Sequence, residues 1–359
     1  MKCLISGTSH DGQGVGRLNS RVVFIPGALP GEEVDIEIIA EKNRYARGRL
    51  NSIIKPSDKR INPPCSYYGF CGGCVYQHAS YELQLELKVI VVEQTLERIG
   101  KMNAEVSPCI PSPKPWRYRN KAVWHAANHG QGWLMGYYQP EDKQILGIDD
   151  CLLISEKMQL LSRSVKNALN NLPENVSPLE ITIRESSWNK HLMLIISGSN
   201  LSSHREWLED AGSEAESICT VYNNKIFNIK GKTYMEEKLL DVRYDFSPLA
   251  FFQVNHGQAE NLIRIVRDLL DLKGGEHILD AYCGVGTLAL NLARDAKKVM
   301  GIESFPSAVE DAIHNARLNN LQNCRFLAGK SEDVMPTLSQ RFDVCILDPP
   351  RSGCHPKVI

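Results

Sequence analysis

The chain has 359 residues, 43% hydrophobic and 23% charged, with a formal net charge of −1. This is the composition of an ordinary soluble globular protein, long enough for two or three domains with cores of their own, and it excludes a disordered or fibrous chain. No apolar run is long enough to span a bilayer and no signal-peptide core opens the chain, so a cytoplasmic protein with no membrane partner is expected, its eleven cysteines serving as metal ligands, catalytic groups or buried apolar residues rather than in disulfides.

Near-neutral overall charge confines any nucleic-acid surface to local patches. Residues 1–58 read as short strands punctuated by glycine turns: Gly12-Gln13-Gly14-Val15-Gly16-Arg17, then Val22 to Glu32, then Val34 to Ile38. That spacing predicts a small closed, OB-like barrel. Val34, Ile36 and Ile38 alternate with acids, one face in and one out. Residues 41–60 then turn basic, with Lys42, Arg44, Arg47, Arg49, Lys55, Lys59 and Arg60 against Glu41 and Asp58. A solvated strand face accounts for such a run, and so does an RNA-tracking surface on the barrel, with Arg44 and Arg47 at its centre.

Residues 59–246 are expected to form an α+β central domain with a cysteine cluster at its start. Cys65, Cys71 and Cys74 stand within ten residues, and Gly72-Gly73 lets the backbone wrap tightly. Three thiols at this density in a reducing compartment point to a metal site. Zinc would take His78 or another cysteine as fourth ligand, a 4Fe–4S cluster a fourth thiolate such as Cys151, and the residues alone leave both open.

Tyr81 to Ile99 has helical apolar spacing and Gly100 as a stop. In Pro111 to Trp124, the aromatics Trp116, Tyr118 and Trp124 interleave with Arg117, Arg119 and Lys121, a pattern suited to stacking bases and contacting phosphates, although a plain edge strand shows the same alternation. A helix over 155–172 and strands at 179–184, 192–197, 218–222 and 225–229 complete the central domain. His125, His129 and His191 read as surface or hydrogen-bonded residues. The acidic run Glu206, Glu209, Asp210, Glu214 and Glu216 is expected to lie away from RNA.

The stretch His277 to Leu288, HILDAYCGVGTL, organises residues 247–359. An apolar run ends in Asp280, a turn carries Gly284 and Gly286, and good helix formers follow from Thr287. Glycines let backbone N–H groups approach a ligand closely. Val299 to Glu303 reads as a second strand ending in an acid, at the distance where doubly wound sites place a ribose-binding carboxylate. Phe342 to Leu347 reads as a later strand ending in Asp348-Pro349-Pro350-Arg351. The third glycine of a dinucleotide fingerprint is missing, since Leu288 and Ala289 follow Gly286, which disfavours a pyrophosphate and a nicotinamide dehydrogenase.

At these residues the chain resembles the class I methyltransferases that bind S-adenosylmethionine and, through DAYCGVGTLAL with LDPPRSG, the RNA uracil-C5 methyltransferase family. GVGR with VFIPGALPGE resembles the TRAM domain, an RNA-binding barrel found at the front of that family. The resemblance implies a C-terminal Rossmann-like domain in which Gln253 (of FFQVN), Tyr282, Gly284, Gly286, Thr287, Glu303 and Asp348 hold S-adenosylmethionine. It also implies a 4Fe–4S cluster on Cys65, Cys71, Cys74 and Cys151, RNA contact by the WRYRNK segment, and 23S ribosomal RNA ahead of transfer RNA as substrate. A monomer is expected.

Uracil C5 is a poor nucleophile, so this chemistry needs a thiolate that adds to C6, methyl uptake at C5, and a base that removes the C5 proton. The family's cysteine and glutamate for these steps lie beyond the next strand after Asp-Pro-Pro-Arg. Here only Ser352 to Ile359 follow Arg351, so the resemblance places both groups beyond Ile359. No catalytic residue is therefore identifiable: Cys354 lies too close to the turn, and Cys283 and Cys345 are expected to be inert. The expectation is an incomplete methyltransferase domain, C-terminally truncated, that does not methylate uracil as it stands. An RNA-binding iron–sulfur protein with an inactive methyltransferase half is the alternative from another class.

Overall fold

A computed structural model describes residues 1–359 except His129, Gln131 and Ser202, so the expectation for His129 lies outside the described residues. The chain divides into two compact units, one of residues 1–115 and 136–148, the other of residues 116–135 and 149–359. Among the described residues no helix is long and apolar enough to cross a membrane.

In the first unit, strands β1 (Lys2–Thr8), β2 (Gly14–Leu18), β3 (Arg21–Ile25), β4 (Glu33–Glu41) and β5 (Tyr45–Lys55) close into a barrel in the order β1-β2-β3-β5-β4. Closure comes from β1 pairing antiparallel with β4, Lys2 opposite Asp35. Inward residues such as Ile5, Val23, Ile25, Val34 and Ile36 fill the interior. Gly14 is required by close approach: a Cβ there would lie 2.7 Å from the Ala28 carbonyl oxygen. Arg47 and Arg49 of β5 face out between inward Ala46 and Gly48, and Arg44 is exposed in the preceding turn.

Arg60, grouped with the basic run in the sequence, is no part of that surface. Its guanidinium donates to both oxygens of Glu32, which is 0% exposed, and to the Gly27 carbonyl at 2.6 Å. Burial pushes the Glu32 carboxyl up, but Arg60 and the N–H groups of Leu29 and Ser57 outweigh it and hold the group below its ordinary value. Helix α1 (Tyr81–Arg98) follows, capped where the Ser80 hydroxyl accepts the Leu83 N–H at 3.3 Å.

Next in the chain come β6 (Lys121–Asn128), of the second unit, then β7 (Trp133–Tyr138) and β8 (Ile145–Gly147), whose paired residues 136–138 and 145–147 belong to the first. The second unit continues with α2 (Glu156–Ala168), β9 (Leu179–Glu185), β10 (Leu192–Ser197), α3 (Arg205–Ala211), β11 (Ser217–Tyr222) and β12 (Lys225–Lys230). Strands β12, β11, β10, β9 and β6 lie side by side in that order, with β10 and β11 parallel and the other pairs antiparallel. Helix α2 buries Met158, Leu161 and Val165.

A hairpin of β13 (Met235–Leu239) and β14 (Val242–Phe246) then appears, for which the sequence reading had no element. Its polar run, Glu236-Glu237-Lys238, hides the inward set Met235, Leu239, Val242, Tyr244 and Phe246. Helix α4 (His256–Leu270), capped by Asn255, leads to a parallel sheet of β15 (His277–Asp280), β16 (Lys298–Glu303), β17 (Cys324–Ala328) and β18 (Val344–Ile346). Its order is β17-β16-β15-β18, with α5 (Thr287–Leu292) and α6 (Pro306–Leu318) as crossovers.

One apolar core runs from Met193 and Ile195 through Tyr244 and Phe252 to Ile278 and Leu290. The expected boundary at 246/247 therefore falls inside a continuous core, and the expected 59–246 segment is shared between the two units.

Candidate cofactor pocket and nucleic-acid surface

Strand β15 delivers Asp280 to the carboxyl end of the parallel sheet, where ligands bind in open α/β folds. The turn beyond it is built on β16, with the Cys283 N–H donating to the Ile302 carbonyl at 3.0 Å, and on β18, with the Ala281 N–H donating to the Ile346 carbonyl at 3.0 Å. Gly284 and Gly286 hold φ of +54° and +89°. A Cβ on Gly284 would meet nothing within 4 Å, so its face is open for a ligand, whereas one on Gly286 would stand 3.0 Å from Leu290.

A cavity opens over this turn, lined among others by Phe251, Gln253, Asp280, Tyr282, Thr287 and Asp348. Glu303, at the end of β16, accepts the Gly284 N–H at 3.1 Å through one oxygen and the Phe305 N–H at 2.9 Å through the other. The structure thus brings together every residue expected for the cofactor: five on the cavity wall or its glycine turn, with Gln253 reaching in from the loop before α4 and Glu303 behind the turn.

The residue that sequence reasoning left out of this set is Asp280. It is 1% exposed, one carboxylate oxygen accepts the Ala289 N–H at 3.2 Å, and the other is buried without a partner. Burial pushes its carboxyl up to about 7; the N–H groups of Tyr282 and Ala289 pull it down, and Asp348 and Glu303 push it further up. Its place as the last strand residue before the glycine turn was the available signal.

Three carboxylates near one cavity, one of them with an orphan buried oxygen, fit a ligand carrying positive charge. Phe252 is buried and stacks on Phe246 at 4.5 Å, which turns its neighbour Phe251, 68% exposed, out over the cavity.

The thiols of this unit divide clearly. Burial pushes Cys283 well up, Cys324 up to about 12 and Cys219 up to about 11, and burial with Asp280 and Cys354 nearby raises Cys345. None of these is poised as a thiolate. Cys354 stands beside the Tyr282 hydroxyl, whose pKa is raised by burial and then by that thiol. Ile359 lies open to solvent and is not among the residues lining the cavity, while its neighbour Val358 is buried. The segment after Arg351 thus brings Cys354 toward the cavity wall at Tyr282.

The WRYRNK segment is not one alternating strand. Residues 116–120 are irregular, Arg117 has a left-handed φ of +54°, and β6 begins only at Lys121. Arg117 is committed inside the protein: its guanidinium donates to Asp150 at 3.2 Å and to the carbonyls of Cys151 and Ile154, each at 3.0 Å. Trp124 is 2% exposed and packs in the core, so it is no stacking platform for a base. Trp116, Tyr118, Arg119 and Lys121 are half-buried.

The cysteine cluster is not assembled. Among the described residues no group of three or more His, Cys, Asp or Glu side chains is placed to hold a metal ion. The loop is instead closed by its own backbone, with the Tyr68 N–H donating to the Cys65 carbonyl at 3.1 Å and the Cys71 N–H to the Tyr67 carbonyl at 2.9 Å. The Cys71 sulfur accepts the Gly73 N–H at 3.4 Å. His78, the zinc alternative, is 2% exposed and hydrogen-bonds through Nδ1 to Tyr68, and burial with Arg60 nearby pushes it down to about 4. These side chains, as they stand, form no 4Fe–4S or zinc centre, so the structure lends no support to the expectation for Cys65, Cys71 and Cys74. Cys151 is half-buried in the other unit, its N–H donating to the Gln159 side chain at 3.0 Å.

A closed five-stranded barrel ahead of a nucleotide-type parallel sheet with an acidic, glycine-turned pocket defines a class of protein, and comparison with known proteins places the chain within it. The TRAM domain family matches residues 1–50, and a methyltransferase domain family matches residues 272–355. The chain is 35% identical to an uncharacterized RNA methyltransferase of Synechocystis sp., over 99% of this chain and 82% of the relative. It is also 35% identical to an uncharacterized RNA methyltransferase of Halalkalibacterium halodurans, over 98% and 82%. Among solved structures it superposes on the Pyrococcus abyssi tRNA (uracil-54, C5)-methyltransferase in complex with S-adenosyl-L-homocysteine, with a TM-score of 0.74, 26% identity, and coverage of 99% of this chain and 85% of that one. The chain belongs to the RNA methyltransferase family.

Proposed function

We propose that the second unit binds S-adenosylmethionine over the 281–286 turn and that the protein is an enzyme of uracil-C5 methylation in RNA, whose nucleophile and base are assigned to no residue among 1–359. The observation that carries this reading is the orphan buried oxygen of Asp280, with Glu303 and Asp348 close enough to raise its pKa, under a cavity whose floor is a glycine turn. S-adenosylmethionine is a cationic ligand with a sulfonium and an ammonium group, and it supplies an electrophilic methyl group when bound.

The chain's own residues do the rest of the binding work. Asp280 and Asp348 offer negative charge to the donor, Glu303 offers its oxygens to hydroxyl groups, and Gln253 closes the cavity from the loop before α4. Exposed Phe251 offers a flat apolar face at the rim. Arg351 follows Asp-Pro-Pro where amine methyltransferases usually carry an aromatic, which favours a uracil over an amino target.

Ribosomal RNA is the substrate class that the resemblance of the chain's front half implies. A second reading, transfer RNA, is favoured by the Pyrococcus abyssi neighbour, whose substrate is a tRNA. Mass spectrometry of nucleosides from separated ribosomal and transfer RNA of a gene-deletion strain tests both. Loss of 5-methyluridine from ribosomal RNA is expected, loss from transfer RNA alone supports the second reading, and unchanged 5-methyluridine in both pools refutes the uracil-C5 assignment. Calorimetric titration with S-adenosylmethionine and with NAD tests the pocket, and binding is expected for the first alone.

A further inference from the structure

In the second unit, residues 247–255 run between β14 and α4 as neither strand nor helix, yet this loop carries Phe251 and Gln253 to the cavity. An irregular loop keeps one shape only where its backbone groups find partners on other elements. Part of this one is buried, Ala250 being 8% and Phe252 3% exposed, so its carbonyls need donors from within the protein.

The partners come from three places in the fold. At the start of the loop, the Ser247 N–H and hydroxyl donate to Asp311 of α6, at 2.9 and 2.8 Å. In its middle, Arg184 of β9, itself 3% exposed, donates to the Ala250 carbonyl. At its end stands Asn120, immediately before β6, which donates twice. Its backbone N–H reaches the Val254 carbonyl at 3.0 Å, and its side-chain amide reaches the Gln253 carbonyl at 3.1 Å. Asn120 is fixed in turn, because its own carbonyl accepts the Glu185 N–H at 2.9 Å, at the end of β9. The clamp on Gln253 therefore rests on the central sheet. Asn120 is the one residue of WRYRNK that is neither aromatic nor cationic, and an uncharged amide donor suits a half-buried carbonyl because it brings no charge to desolvate.

We infer that Asn120 is a positioning residue for the donor cavity: by clamping the backbone at Gln253 and Val254 it sets how far the Gln253 side chain reaches over the glycine turn. A side chain held in place beforehand loses less freedom when its ligand arrives, and the clamp is felt as donor affinity. The inference rests on reading the cavity as the S-adenosylmethionine site.

The test uses the full chain, calorimetric titration with S-adenosylmethionine, and hydrogen exchange of the peptide covering 247–255 read by mass spectrometry. Asn120→Ala, which keeps the backbone N–H and removes only the side-chain donor, is expected to weaken donor binding about fivefold, the worth of one hydrogen bond. The 247–255 peptide should exchange about threefold faster or more in this variant. The deciding readout is a double-mutant cycle with Gln253→Ala. A residue that acts through Gln253 has nothing left to act on once that side chain is gone, so the double variant should bind within about twofold of Gln253→Ala alone. Asn120→Asp, of the same size but without the amide donor, replaces Asn120→Ala in the cycle if circular dichroism shows that the latter has lost its fold. Unchanged donor affinity in a folded Asn120 variant, or in Gln253→Ala, overturns the inference while the donor site stands. Losses that simply add in the double variant overturn it as well, by making Asn120 a general support of the fold. A wild-type chain that binds no S-adenosylmethionine overturns the parent reading and this one together.

Discussion

The turn at 281–286 and the loop at 65–74 are both glycine-bearing motifs that stand out in the sequence, and they end differently in the structure. The turn forms a pocket floor; the loop holds three cysteines that, among the described residues, form no group placed to hold a metal ion. The difference lies in what each site is made of. The turn's recognition groups are backbone N–H groups and strand-end carboxylates, placed by the ladders of β15 with β16 and β18 as soon as the sheet forms. A thiolate site instead brings like charges together, and the binding energy that offsets this comes from the metal itself. Backbone sites are formed by folding; side-chain metal sites are formed by folding plus a ligand.

The largest expected effect probes the turn. Asp280 has a folded pKa of about 7, above the unfolded carboxylate's ordinary value of about 4. The folded state therefore keeps a proton that the unfolded state has lost, so this group's stabilisation is full below about pH 4 and fades as pH rises through about 7, by about 4 kcal/mol in total. Affinity for a cationic donor runs the other way, rising as Asp280 ionises. Asp280→Asn should flatten both trends in pH-dependent thermal melts and calorimetry; a variant that keeps both slopes shows that Asp280 is not the titrating group.

Next comes Gly286→Val, which places a branched side chain at a φ of +89° and against Leu290. A loss of about 2–3 kcal/mol in urea melts and of tenfold or more in donor affinity is expected. Gly284→Ala, where the space is open, should cost only about 1 kcal/mol. Equal costs at the two glycines would mean that backbone geometry is not what makes the floor.

Segment 116–121 stands between the two extremes, since its cations split into committed and uncommitted ones. Arg117→Ala should cost about 1–2 kcal/mol of stability through lost hydrogen bonds, with the salt slope of RNA binding unchanged. A reduced slope would return Arg117 to the RNA surface.

The smallest effect is expected at the cysteine loop. Cys65→Ser removes a half-buried thiol from a loop closed by backbone bonds, so melts should shift by less than about 0.5 kcal/mol. A large loss of stability accompanied by loss of bound iron would show that a cluster gathers the ligands after all.

Much of the fold was legible because it is local. The barrel strands follow the alternation of Val34 and Ile36 with acids, the first helix follows the apolar spacing from Tyr81 with Gly100 as its stop, and the pocket follows the pattern of an apolar strand, Asp280, and two glycines. These features need only a residue and its near neighbours, so composition and spacing determine them. Tertiary structure decided the rest. Arg117, Arg119 and Lys121 look equivalent in the chain, yet the left-handed turn at Arg117 sends its guanidinium to Asp150, while the register of β6 on β9 sets Lys121 against Arg184, more than sixty residues away. Trp124 went to the core because β6 lies against β9 with that face buried. The hairpin at 235–246 was invisible because its inward residues become a pattern only once the core that receives them exists. Local sequence determined which groups could act; long-range pairing decided which are free to do so, because a side chain's partners are set by the chain that packs against it.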